Sequence, residues 1–137
     1  MTVMLGFVPS PEGRAAARFA IEEAVRRRTT LTVVNASRGQ APAEATMASH
    51  EELKVLQQMA KNAGIPVTTL QPAHGGSPAE QLLSAVESHS AEVLVIGLRR
   101  RSQVGKLILG STALTLLSHA PCPVSAIKAD KGYAPGV

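Results

Sequence analysis

Aromatic residues make up only 2% of the 137-residue chain, with two phenylalanines, one tyrosine and no tryptophan. That scarcity excludes the rows of stacking rings on which single-stranded nucleic acid is usually held. It also obliges the core to be built from Val, Leu, Ile, Ala and Met. Cysteine occurs once, at Cys122, so there is neither a disulfide framework nor a CxxC metal pair, and a reducing interior suits the lone thiol. No apolar stretch approaches the ~18 residues of a membrane span, and the opening MTVMLGFV lacks the basic region and cleavage pattern of a signal peptide. The expectation is a cytoplasmic protein with no membrane partner. Neither a Walker motif nor GxGxxG is present.

Hydrophobic residues account for 45% of the sequence and charged residues for 18%, a balance that predicts a globular chain of one domain. The formal charge is +4, yet the placement of the basic residues matters more than their sum. Arg26, Arg27 and Arg28 end a helical pattern, where cations complement the carbonyl end of the dipole. Arg99, Arg100 and Arg101 follow a strand pattern and have no such role. No nucleic-acid partner is expected.

Short apolar runs alternate with helical patterns from end to end, the signature of βαβ units on a parallel sheet. The core is expected over 2–128, with a fraying tail from 129 to 137. Strands are predicted at 2–8, 30–36, 65–71, 92–97 and 123–128. Ser10-Pro11 opens the first helix, with Ala17, Ala20, Ile21, Ala24 and Val25 on its apolar face and an end near Arg28. A second helix is predicted over 46–63, with Leu53, Leu56, Ala60 and Ala63 facing inward and Gly64 as its stop, after an exposed loop at SRGQAPAEAT. Ser77, Pro78 and Glu80 form a capping box for the third helix, whose buried face is Leu82, Leu83 and Val86. A last helix is predicted over 111–119.

Residues 97–111, GLRRRSQVGKLILGS, are the most informative stretch. In an open parallel sheet, ligands collect at the carboxyl ends of strands, where helix starts offer unsatisfied N–H groups. Gly97 leaves the central strand with no side chain to obstruct a ligand, and Gly110-Ser111 opens the next helix with a hydroxyl and free amides. Arg99, Arg100, Arg101 and Lys106 supply positive charge between them. These parts suffice for a phosphate site, although a solvated loop accounts for the arginines equally well. Ser111 fits either capping or phosphate contact. His50, His74, His89 and His119 fall on separate predicted elements without a carboxylate or cysteine at metal-ligand spacing. No placed acid, base or metal carboxylate accompanies the loop, so binding is expected and catalysis is not.

The segment from Val93 to Val124 resembles the universal stress proteins. Nucleotide-binding members carry Gly, two residues, Gly, nine residues, then Gly with Ser, Thr or Asn, and after a short helix a His-Ala-Pro-Cys-Pro-Val-like ending. Here Gly97 is followed by Arg100 in place of the second glycine, then nine residues to Gly110-Ser111, then His119-Ala120-Pro121-Cys122-Pro123-Val124. The resemblance extends over 2–128. It implies a single three-layer α/β domain with a five-stranded parallel sheet of order 3-2-1-4-5 and helices on both faces, of the adenine nucleotide alpha hydrolase-like type. It further implies a homodimer through strand 124–128, ATP or a related adenine nucleotide as ligand, and a regulatory role exercised through a protein partner. The implied binding set is Val8, Pro9, Asn35, Gly97, Arg99, Arg100, Lys106, Gly110, Ser111 and Thr112.

Two departures bear on that expectation. Where the family shows Asp-Gly-Ser-Pro this chain reads Val8-Pro9-Ser10-Pro11, so the side chain that takes the adenine is replaced by an apolar wall. Arg100 either fills the space through which phosphates approach or clasps them with its guanidinium. The first outcome makes the chain a scaffold without nucleotide, its pocket occluded by Val8 and Arg100. The second retains an anion site with altered base recognition.

Overall fold

The apolar runs become five parallel strands whose side chains divide between two faces through the two-residue alternation of pleated backbone. In chain order, the computed structural model consists of β1 (Thr2–Gly6), α1 (Pro11–Arg27), β2 (Thr30–Val34), α2 (His50–Asn62), β3 (Val67–Leu70), α3 (Pro78–Ser88), β4 (Ala91–Leu98), α4 (Ser111–His119) and β5 (Val124–Lys128). It describes residues 1–36, 50–72, 76–98 and 109–129. The sheet order is β3-β2-β1-β4-β5, with every neighbouring pair parallel. Both fold class and strand order therefore agree with the expectation.

Val3 and Leu5 of β1, Leu31 and Val33 of β2, and Val93 and Val95 of β4 point to one face, where they meet Ala16, Ala20 and Ala24 of α1 and Leu53, Leu56 and Ala60 of α2. Met4, Val34, Leu94 and Ile96 point to the other, against Leu82 and Val86 of α3 and Leu116 of α4. Alanines dominate the buried side of α1, which lets that helix lie close on the sheet; Ala16, Ala20 and Ala24 are all fully buried.

Local signals set the helix starts. Ser10 Oγ accepts from Gly13 N–H at 3.0 Å with Pro11 in the first turn. Ser77 and Glu80 make the reciprocal bonds of a capping box, Glu80 N–H to Ser77 Oγ at 3.2 Å and Ser77 N–H to Glu80 Oε1 at 2.9 Å. At the far end of α1, Glu23 pairs with Arg26 and with Arg27 Nε (2.7 Å), and Arg27 reaches Glu92 at 3.2 Å. The guanidinium of Arg27, then that of Arg26, holds the Glu23 carboxyl below the usual carboxylate range. Arg28 caps the helix in the left-handed region at φ 55°.

Several boundaries differ from the sequence expectation. β1 stops at Gly6 and β2 at Val34; after β1 the chain turns, Ser10 N–H closing back onto Val8 O at 2.9 Å. The third strand is limited to Val67–Leu70, with Ile65 buried ahead of it. Val25 is 46% exposed despite its helical spacing, although the adjacent Ala24 is fully buried. Ala63 is exposed because α2 ends at Asn62 and Gly64 follows at φ 77°. Leu83 is only partly buried, packed at the margin of the second cluster. The start of the second helix before residue 50, the loop ahead of it, His74 and the tail beyond residue 129 lie outside the described residues.

Candidate functional site

The sheet order changes direction between β1 and β4: the chain moves from β1 to β2 on one side and later enters β4 on the other. Helices above such a reversal leave diverging loops, and a crevice opens beyond the carboxyl ends of the two strands. A cleft of about 320 Å³ lies there. Phe7, Val8, Pro9 and Ser10 after β1, Ala36 after β2, Gly97 and Leu98 of β4, Pro78 and Leu82 of α3, and Gly110, Thr112 and Leu116 about α4 form its walls. Elements far apart in sequence thus converge on one hollow.

Of the ten expected binding residues, Val8, Pro9, Gly97, Gly110 and Thr112 line the cleft. Asn35 does not: it is fully buried, and its backbone N–H donates to Leu70 O at 2.9 Å, which places it within the sheet end and not in the wall. Ser111 is exposed and does not line the cleft. Arg99, Arg100 and Lys106, together with Arg101, lie outside the described residues.

The roles of the glycines differ from the sequence reading. A β-carbon at Gly97 would sit 2.7 Å from Glu12 O and 2.8 Å from Glu12 C, both backbone atoms of the first turn of α1. Gly97 is therefore required by the close approach of that helix to β4, in addition to standing in the cleft wall. Gly110 has open space around it and is itself the N-cap of α4, at φ −74° and ψ 170°, with no side-chain cap bond. Ser111 is the first helical residue and not the cap. Its neighbours' carbonyls enter the helix in the ordinary way, Leu114 N–H donating to Gly110 O at 3.0 Å. Among the described residues the first-turn amides of α4 have no side-chain cap, which is the arrangement that favours an anion.

Glu12 is the one ionisable side chain among the described residues that line the cleft. Phe7, Ala36, Pro78, Leu82 and Leu116 were not foreseen as wall residues. Pro78 had a usable signal, since a capping box marks a helix start and helix starts crowd the carboxyl edge of a parallel sheet. Leu82 reads as core from the sequence and is also wall; with Leu116 it forms the floor, the two being 4% and 0% exposed.

Other reactive groups stand apart from this cleft. Burial pushes the Cys122 thiol up, offset in part by a hydrogen bond with the Leu94 backbone, so it is a poorer nucleophile than a free thiol. His89 and His119 each place Nδ1 against the carbonyl four residues earlier, at 3.2 and 3.1 Å. Among the described residues no group of three His, Cys, Asp or Glu is placed to hold a metal ion. A second cleft, between α1 and α2, has the Arg14–Glu52 ion pair (3.7 Å) on its rim.

A parallel sheet of this order, with a hollow at the β1/β4 reversal and an uncapped helix start beside it, defines a doubly wound α/β domain of the kind whose ligands lie at the switch point. Residues 1–128 match the family model described as the universal stress protein family, and the chain belongs to that family. A universal stress protein of Mycolicibacterium smegmatis is 44% identical over 126 residues, covering 92% of this chain and 96% of the relative. Among solved structures, a universal stress protein from Archaeoglobus fulgidus superposes with a TM-score of 0.74 at 26% identity, covering 93% of this chain and 97% of that one. A universal stress protein from the same organism in complex with dAMP has a TM-score of 0.67 at 21% identity, covering 93% and 96% of the two chains.

Proposed function

We propose that this chain is a regulatory universal stress protein that binds an adenine nucleotide or a related phosphorylated ligand in the β1/β4 cleft. The observation that carries the reading is the uncapped start of α4, with Gly110 and Thr112 in the wall of a cleft that also takes in Val8, Pro9 and Gly97. The dAMP complex of the Archaeoglobus fulgidus protein adds support from within the family. Binding without turnover is the proposed mode. The phosphate is held by amides at the α4 start, with charge contributed by Arg99, Arg100 and Lys106, and the ring lies towards Val8. Occupancy then acts on a protein partner in the cytoplasm.

Gly110→Asp separates a ligand role from a structural one. Aspartate is a good N-cap, and a β-carbon at this position meets nothing within 4 Å, so stability is expected to hold or rise. Its carboxylate would occupy the α4 amides and repel a phosphate, and nucleotide affinity is expected to fall at least about tenfold. Calorimetric titration with ATP, AMP, cyclic AMP and pyrophosphate measures this. Absence of heat with all four at millimolar concentration would reject the nucleotide reading in favour of a scaffold acting through partners alone.

We also propose a homodimer through β5. That strand is a sheet edge and its residues Val124 to Ile127 are only half-buried, an arrangement that favours pairing with another strand. Sedimentation at micromolar concentration is expected to give a dimer; a monomer there would overturn this part.

A further inference from the structure

We infer that the groove between α1 and α2 docks an acidic amphipathic helix of a protein partner. This site is separate from the β1/β4 cleft, although Phe7 lines both, and its use requires no nucleotide there. The groove measures about 380 Å³ and its floor is Phe7, Ala17 and Leu56, all buried. Val55 and Met59 line it from α2 and Arg14 and Arg18 from α1, each pair one helical turn apart and therefore on one side of its helix. Toward the core α2 already presents Leu53, Leu56 and Ala60. Val55, 61% exposed, and Met59, 36% exposed, are apolar side chains left over from that core. A single exposed apolar residue is ordinary; here two stand together beside an apolar floor.

The borders select the occupant. An apolar stripe on one side and a cationic stripe on the other, over a concave floor, fit the ridge of a third helix with apolar residues at i, i+3, i+4 and i+7. Met and Arg are side chains that protein interfaces favour, and the flexible thioether of Met59 adapts to a partner's shape. Charge sets the sign: Arg14 and Arg18 outnumber Glu52 along the groove, so carboxylates beside the partner's apolar ridge are attracted. The Arg14 side chain is 54% exposed and lies 3.7 Å from Glu52, beyond hydrogen-bond length. Such an exposed pair is held weakly, so a carboxylate of the docked helix takes the guanidinium at small cost. A bilayer is flat, and would touch the rims without reaching Phe7, Ala17 and Leu56.

The test is fluorescence anisotropy of a labelled helical peptide, leucines at that spacing and glutamates beside them, titrated with the full chain at about 150 mM salt. A twin peptide with lysine in place of every glutamate is expected to bind at least about tenfold more weakly. Val55→Glu puts a carboxylate in the apolar stripe and is expected to lower affinity for the acidic peptide at least about tenfold. Arg14→Ala combined with Arg18→Ala is expected to lower it about fivefold or more. Lys54→Ala combined with Lys61→Ala removes the same charge from exposed positions of α2 that do not line the groove, and affinity is expected to stay within about twofold. Equal binding of the twin peptides, an equal loss for the lysine and arginine pairs, no effect of Val55→Glu, or no binding of the acidic peptide would overturn docking. Three other occupants would overturn it as well. A fall of more than about 5 °C in the melting temperature of Val55→Glu would put the chain's own residues in the groove. A smaller sedimentation coefficient for that variant would put a second copy there, and binding to phosphatidylserine vesicles that the variant abolishes would put a membrane there.

Discussion

Gly13→Ala is expected to destabilise the protein by about 2 to 4 kcal/mol, the net of an overpacked contact and a lost cap against a helix-propensity gain of about 1 kcal/mol. Helix propensity alone predicts the opposite sign, because glycine within a helix is worse than alanine. The structure decides between the two. A β-carbon on Gly13 would run into the carbonyl oxygen and carbon of Val8, backbone atoms that cannot rotate aside as a side-chain tip can. Relief would require moving either the β1–α1 turn or the first turn of α1, where Gly13 N–H also receives the Ser10 cap at 3.0 Å. The melting temperature is expected to fall by roughly 10 °C, read by thermal or urea unfolding. Because Val8 and Pro9 line the cleft, the folded fraction should also bind nucleotide more weakly. An unchanged or raised stability would show that the turn does not press on α1 as described.

Gly13 also shows where reading the sequence stops. Its place within three residues of a capping serine is local information, and the start of α1 was legible for that reason. The need for a bare α-carbon there, and at Gly97 against the same turn of helix, arises from tertiary approach, which no window of sequence displays. Gly97 was accordingly read as room for a ligand, when its nearest neighbour is α1. The parallel sheet was legible because the strands are strongly apolar and alternate with helical patterns, and its order because the Val93 to Val124 segment resembles one family. Ala63 was misplaced for a physical reason: the helical spacing runs on past Asn62, where α2 ends.

The site was legible in outline and less so in composition. Five of its expected residues meet in one cleft, since Val8-Pro9, Gly97 and Gly110-Thr112 sit at the ends of adjacent strands or at the helix start that faces them. Asn35 lies outside the cleft wall because the register of β2 with β3 draws its backbone to Leu70. The apolar floor escaped notice because a leucine that packs a core and a leucine that floors a cleft have the same spacing on a helix.

That double use of leucine sets the second large effect. Leu5 is fully buried on the α1/α2 side, paired in register with Val33 and Val95, and Leu5→Ala is expected to cost about 3 to 4 kcal/mol through lost burial plus a sealed cavity. Leu116 is equally buried but floors the cleft on the other face. The space left by Leu116→Ala would open into the existing hollow, so part of the cavity cost is avoided and about 2 to 3 kcal/mol is expected. Function should divide the other way. Leu5→Ala leaves the cleft walls in place and is expected to preserve nucleotide affinity once the fraction folded is allowed for, whereas Leu116→Ala deepens the floor and should change it. Urea unfolding with a common m-value, paired with titration of both variants, measures the two quantities independently. A loss below about 1 kcal/mol for Leu5→Ala would be incompatible with a side chain closed off from water on every side.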